Sequence, residues 1–213
     1  MKLWTLLYTL ILSATLPLHA QSLIPPYSVS SCIACHGKDG VGTAPNFPNL
    51  GGQHAEYLFK QMANMQQGKN RNPSVMGAIF SKLSTADLRA LAYYYSNLPI
   101  SIGSAPKKAV KLGAKLYQRG SLNKQITACI ACHGPGGEGN AEANFPLLSG
   151  QQKTYVEQQL RDFKQKKRIN DYNKIMQDIA HNLAEEDIKT LAAYIEGLYP
   201  TAPIASSHCC VKR

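Results

Sequence analysis

One hexapeptide occurs twice in this chain: Cys32-Ile33-Ala34-Cys35-His36-Gly37 returns unchanged as Cys129-Ile130-Ala131-Cys132-His133-Gly134, 97 residues later. The match extends well beyond it. Asn46-Phe47-Pro48 and Leu50 recur as Asn144-Phe145-Pro146 and Leu148, Gly52-Gln53 as Gly150-Gln151, and Tyr57 as Tyr155. Arg71 is mirrored by Arg168, Met76 by Met176, Leu83 by Leu183, and Leu91-Ala92 by Leu191-Ala192. One sequence written twice must find one fold twice, so the chain reads as a duplicated domain of about 90 residues.

Each copy reads as helical. Leu88, Leu91, Ala92 and Tyr95 follow the i, i+3, i+4, i+7 spacing of one helix face, with Ser84 and Asp87 placed as a capping box. Ile188, Leu191, Ala192 and Ile195 repeat that face. Residues 54–67 and 152–166 lack proline and suit amphipathic helices, while the Gly- and Pro-bearing stretches 37–48 and 134–146 read as loops. No segment alternates like a strand for long, so the expected class is all-α. A signal peptide is expected at 1–20, a first domain at 21–100, a linker at 101–109, a second domain at 110–200 and a disordered tail at 201–213. A helix is expected over about 108–119, with Leu112 and Tyr117 as core candidates.

The pattern C-x-x-C-H is the attachment signature of c-type haem. Cysteines three apart on a helical turn present both sulfurs to one porphyrin edge, and the next histidine projects its imidazole at the iron. Zinc, a redox dithiol or a plain disulfide are the rivals. A four-cysteine zinc site brings its two pairs within about 15–20 residues, far closer than these, and a dithiol enzyme explains neither the second pair nor the histidines. Cys32, Cys35, Cys129 and Cys132 are therefore the expected attachment points, and His36 and His133 the proximal ligands, of two covalent haems c. The repeat also names the sixth ligands, Met76 and Met176, against Met62, Met65 and His54 in the first half and His181 in the second. His/Met ligation fills every position on iron, which suits an electron carrier and not an enzyme. The carbonyls of Pro48 and Pro146 either orient the histidines or belong to prolines that only stiffen a loop. Phe47, Phe145, Tyr57 and Tyr155 are expected as pocket and core packing.

Export through the signal peptide fits a haem attached outside the plasma membrane. The formal net charge is +10. Residues 101–128 hold Lys107, Lys108, Lys111, Lys115, Arg119 and Lys124 with no acid, and 161–168 hold five bases against Asp162. Such runs are either solvated surface or a steering patch for an acidic partner or anionic membrane. Nucleic acid is a poor candidate without a binding motif. Cys209 and Cys210, beside His208, have no counterpart in the repeat and no favoured role.

The paired motifs, the Phe-Pro-x-Leu-x-Gly-Gln-x-x-x-Tyr segments (Phe47 to Tyr57, Phe145 to Tyr155), the matched methionines and the Leu-Ala-x-Tyr helices together resemble the cytochrome c4 family over about residues 27–199. The resemblance implies two tandem class I cytochrome c domains related by pseudo-two-fold symmetry, in a periplasmic dihaem carrier that is often membrane-associated. It implies His36 with Met76, and His133 with Met176, as axial pairs. It also implies redox protein partners: a donor such as a membrane quinol-oxidising complex, and a haem-copper terminal oxidase as acceptor. The alternatives are the dihaem subunit of a larger oxidoreductase such as a flavocytochrome c sulfide dehydrogenase, and a dihaem peroxidase. One departure is the short stretch before Cys32, which predicts looser packing and greater exposure at the first haem.

Overall fold

The computed structural model describes residues 27–68, 70–71 and 74–201. Among these residues the regular elements are all helical, and the bridges between extended residues are isolated. In the first half a short 3-10 turn (Tyr27–Val29) leads into α1 (Ser30–His36), α2 (Ala55–Gln66), α3 (Ser74–Phe80) and α4 (Thr85–Ser96). In the second, α5 (Lys107–Arg119) precedes α6 (Ile130–His133), α7 (Lys153–Lys164), α8 (Ile175–His181) and α9 (Glu185–Glu196). α1 to α4 thus return in order as α6 to α9. The segment 1–20 and the tail with His208, Cys209 and Cys210 lie outside the described residues.

Each half closes over its own apolar core, seeded by the last helix. On α4, Leu88, Leu91, Ala92 and Tyr95 are all buried, as are Ile188, Leu191, Ala192 and Ile195 on α9. Fully burying one such aliphatic side chain is worth about 1.5–3 kcal/mol, so this repeated face holds each half together. α4 starts on the capping box its sequence encodes: Ser84 Oγ accepts from Asp87 N (3.1 Å), and Asp87 Oδ2 accepts from Ser84 N (2.9 Å). α9 keeps half of the device. Asp187 accepts the Ala184 N–H at 2.9 Å, but alanine has no oxygen to return the bond.

α5 lies on α9 in a way the apolar pattern does not announce. Gly113 sits against Tyr194 and the Thr190 carbonyl, and Tyr117, one turn on, is fully buried with its ring 5.5 Å from that of Tyr194. Leu112, a core candidate by sequence, is 49% exposed instead. The contact is centred on a glycine because backbone-to-side-chain approach is closest there, and this rotates Leu112 outward. Among the described residues, the 3-10 turn is what precedes α1 in the first half. His36 and His133 are both buried side chains, 6% and 7% exposed.

The halves meet through matched segments. Arg71 and Arg168 form an antiparallel bridge, and Ile169 N donates to Asn70 O at 2.8 Å. Because each side contributes its own copy of the same residues, the two domains are related by an approximate two-fold. The second basic run breaks up in this arrangement. Arg161 pairs with Glu157 and Glu185, while Arg168 is buried at the interface and is no part of a surface patch. Among the described residues, no helix is long and apolar enough to cross a membrane.

Candidate functional site

The two hexapeptides occupy matching places, at the ends of α1 and α6. Each helix stops at the glycine after its histidine. Gly37 and Gly134 take φ of +69° and +75°, and a Cβ on Gly37 would lie 2.3 Å from Val41 O. Only glycine turns the chain away at that point without strain, leaving the histidine on the last helical turn. His36 Nδ1 lies 3.0 Å from Pro48 O, and His133 Nδ1 lies 3.0 Å from Pro146 O. A carbonyl can only accept, so Nδ1 carries the proton in both rings. Burial lowers both imidazole pKa values, with the proline carbonyl opposing, so the rings are neutral and Nε2 keeps its lone pair. A neutral imidazole held by Nδ1–H with Nε2 free is the state of a metal ligand. Of the two readings of the prolines, the orienting one is what the structure contains. Phe47 stands edge-on to His36 and Phe145 is tilted against His133, with ring centroids 6.2 and 6.3 Å apart.

None of the four motif cysteines is joined in a disulfide. Burial pushes the Cys32 thiol up and the Cys129 thiol up to about 11. A dithiol oxidoreductase needs the opposite shift. Among the described residues no group of three or more His, Cys, Asp or Glu could hold a metal by itself, so the zinc alternative has no donor set.

What the motifs face is a cavity of about 740 Å³ that runs from one half to the other and is lined by the cysteines and histidine of each hexapeptide, by Met76 and by Met176. Met176 stands in the first turn of α8, whose start is fixed by Asp171: its Oδ2 accepts from Met176 N (2.9 Å) and Gln177 N (3.1 Å). Met76 likewise lies in the first turn of α3. Of the rival ligands, His54 faces away, with Nε2 bonded to Glu138 O at 2.9 Å, and His181 is exposed outside this cavity. Met62 and Met65 do line the cavity, but the second half carries Leu160 and Phe163 in their places, which are apolar packing.

The cavity also exposes an unbalanced charge. Arg71 and Arg168, 9% and 6% exposed, line it without a carboxylate in ion-pair range among the described residues. Each reaches across the interface: Arg71 Nη2 to Tyr155 Oη and Arg168 Nη2 to Tyr57 Oη, both 2.8 Å. Each also donates to a glutamine of its own half, Gln61 Oε1 (2.6 Å) and Gln159 Oε1 (2.7 Å). Burial opposes ionisation of Tyr57, but the Arg168 and Arg71 guanidiniums outweigh it and hold its hydroxyl below the usual phenol range. Tyr57 and Tyr155 are thus interface residues and not simple packing. Two buried cations call for anions. Asn144 Oδ1, buried on the lining of the same cavity, has no hydrogen-bond partner among the described residues. A large apolar slot with a thiol pair and a free imidazole in each half, and cationic groups between, fits a porphyrin that carries iron at its centre and carboxylates at its edge.

The sequence motifs alone do not single out Gln53, Gln151 or the arginines as functional. The signal is present, though: they are polar residues kept in both copies of the repeat.

Comparison with known proteins agrees. Residues 110–198 match the family model for cytochrome c, and residues 27–94 match that for cytochrome c oxidase, cbb3-type, subunit III. A cytochrome c4 from Pseudomonas aeruginosa is 44% identical over 79% of this chain and 84% of its own. A thiosulfate dehydrogenase electron acceptor from Thiomonas intermedia is 38% identical over 86% of each chain. The crystal structure of reduced recombinant cytochrome c4 from Pseudomonas stutzeri superposes with a TM-score of 0.78, at 40% identity, over 80% of this chain and 95% of its own.

Proposed function

This chain belongs to the cytochrome c4 family, with two covalently bound haems c, and from that premise we propose that it is a periplasmic carrier passing single electrons through two His/Met-ligated irons. Cys32 and Cys35 hold one haem and Cys129 and Cys132 the other. His36 with Met76, and His133 with Met176, are the axial pairs. The observation that carries this is the matched pair of His–Pro bonds, which leaves each Nε2 unprotonated on a cavity wall that also bears the matched methionine.

Bound iron supplies reversible one-electron chemistry; the protein's residues set its conditions. Pro48 and Pro146 fix the imidazoles, and the matched methionines would supply the remaining ligand to each iron, which would leave no position for a substrate. The buried guanidiniums of Arg71 and Arg168 supply countercharge for haem carboxylates. Little has to move when an electron arrives, because both histidines are buried and each is held through Nδ1 by a proline carbonyl. That suits transfer and not bond chemistry, so no enzymatic activity is assigned.

The partners are redox proteins. Along α5, Lys107, Lys108, Lys111, Lys115 and Arg119 are all exposed and form no ion pair among the described residues, a surface that favours an acidic partner. A membrane quinol-oxidising complex as donor and a haem-copper terminal oxidase as acceptor fit the family. A second reading, electron acceptor of a sulfur-compound dehydrogenase, is favoured by the relative named for that role; co-purification with such an enzyme separates the two.

The test is an absorption spectrum of the holoprotein, oxidised and reduced. Two haems per chain, a methionine-to-iron band of full intensity and no response to carbon monoxide are expected. Half the band, or a carbon monoxide adduct, overturns the closed-site reading.

A further inference from the structure

We propose that Gln53 and Gln151 are positioning residues acting across the domain interface, each tuning the haem iron of the opposite domain through the peptide that holds its axial histidine. This deepens the reading above and rests on His36 and His133 as ligands.

The geometry is a pair of relays. The Pro48–Asn49 peptide accepts from His36 Nδ1 through its carbonyl (3.0 Å) and donates through the Asn49 N–H to Gln151 Oε1 (2.8 Å). The Pro146–Leu147 peptide accepts from His133 Nδ1 (3.0 Å) and donates through the Leu147 N–H to Gln53 Oε1 (2.9 Å). Each glutamine then closes a ring on the same residue: Gln151 Nε2 donates to Asn49 O, and Gln53 Nε2 to Leu147 O, both at 2.9 Å. Neither ring is open to water, since Gln53 and Gln151 are 5% and 8% exposed. Each Oε1 also accepts from the next residue of its own chain, His54 N at 3.1 Å and Gln152 N at 3.0 Å, which holds the amide in this orientation.

A peptide is one conjugated unit. An acceptor on its N–H pushes electron density toward its carbonyl oxygen, strengthening that oxygen as an acceptor by roughly 10–30% in hydrogen-bond chains. A stronger acceptor on Nδ1–H makes the imidazole a more basic ligand. A more basic ligand favours ferric over ferrous iron. Each glutamine therefore lowers the potential of the haem in the other domain. Burial matters here, because in water a lost partner is replaced at once, whereas an interface amide has no substitute.

The variants that test this are Gln151→Met and Gln53→Met, near-isosteric but without the acceptor, made in the full-length holoprotein. The potential of each haem is followed by proton NMR through a redox titration, with haem methyls assigned to domains by their contacts with Phe47 or Phe145. Gln151→Met is expected to raise the potential of the His36 haem, and Gln53→Met that of the His133 haem. The expected size is about three- to tenfold in the reduction constant, tenfold being 59 mV for one electron. Gln151→Glu keeps an acceptor in either protonation state, so it should not raise the potential. Gln151→Asn, one methylene too short to reach, replaces the methionine variant if that does not fold. Equal shifts in both haems, a shift confined to the mutated domain, no shift, or a rise with glutamate equal to that with methionine each overturn the proposal. Hyperfine-shifted His36 and His133 signals in the same spectra report ligation independently. Their absence refutes the ligand assignment, whereas unmoved potentials with those signals present refute the glutamine relay alone.

Discussion

Gly113→Ala places helix propensity and packing in direct opposition. In an isolated helix, alanine in place of an interior glycine stabilises by about 1 kcal/mol. Here the new Cβ would stand 2.4 Å from Tyr194 Cβ, 2.9 Å from Tyr194 Cγ and 3.0 Å from Thr190 O. Carbon atoms rest at about 3.5–4.0 Å, so α5 and α9 must separate by more than 1 Å. Such overpacking costs about 1–3 kcal/mol. The shift also carries Tyr117, whose hydroxyl donates to Gly134 O at 2.8 Å, directly after His133. Losing that bond adds about 1 kcal/mol. Set against the propensity gain, the net is a loss of about 2 kcal/mol, or about 1 M in urea midpoint for a slope near 2 kcal/mol/M. The assay is urea unfolding of the holoprotein, read by far-ultraviolet circular dichroism and by the methionine-to-iron band, with exposed Lys115→Ala as control. A midpoint equal to or above that of the parent refutes the close-contact argument, because propensity alone predicts that result.

Two other predictions test separate parts of the molecule. Tyr57→Phe removes the hydroxyl that accepts from buried Arg168, and Tyr155→Phe does the same to Arg71. Each should cost about 1–3 kcal/mol in denaturant unfolding, and the double variant should fall short of the sum because the arginines share Gln61 and Gln159. Glu138 is the other. Burial raises its pKa, but the Thr201 and Gly136 amides and the Thr201 hydroxyl outweigh it and hold the carboxyl below its ordinary value. A depressed folded pKa contributes stability above the unfolded value, near 4.3, that is lost as pH falls through the lower folded one. Thermal unfolding at stepped pH should show Glu138→Gln losing stability at neutral pH and converging on the parent in acid; parallel curves would refute it.

Local chemistry was legible in the sequence, and tertiary chemistry was legible only as an unexplained echo. The hexapeptides announce themselves because all their reactive atoms lie within one helical turn. The α4 and α9 faces are equally readable, since burial there follows a single period. Leu112 misleads because an apolar side chain looks like core, whereas the true contact is made by Gly113, which has no side chain to advertise. The interface was hidden for a different reason. Gln53 and Gln151 bond to residues about a hundred positions away, so no window of sequence contains both partners. Even so, the duplication kept both copies of Gln53, Tyr57, Gln61 and Arg71, and that persistence in polar residues was the available clue. Where the copies diverge, the interface absorbs it. His54 bonds across to Glu138 O, and Gln152, in the matching position, bonds across to Gly42 O at 3.1 Å.

The reciprocity of these bonds says something about assembly. When residue i of one half meets j of the other, and j of the first meets i of the second, the contact is isologous, the geometry of a two-fold homodimer. Either half alone carries both faces of its own docking surface. The connection between the halves packs against Gly52 of the first and Gly150 of the second, and it also sets how often the faces meet, at the millimolar effective concentrations typical of short tethers. An interface too weak to hold two separate chains together in dilute solution is sufficient here. That leaves its buried polar groups free to be selected for what they do to the irons, with adhesion left to the covalent link.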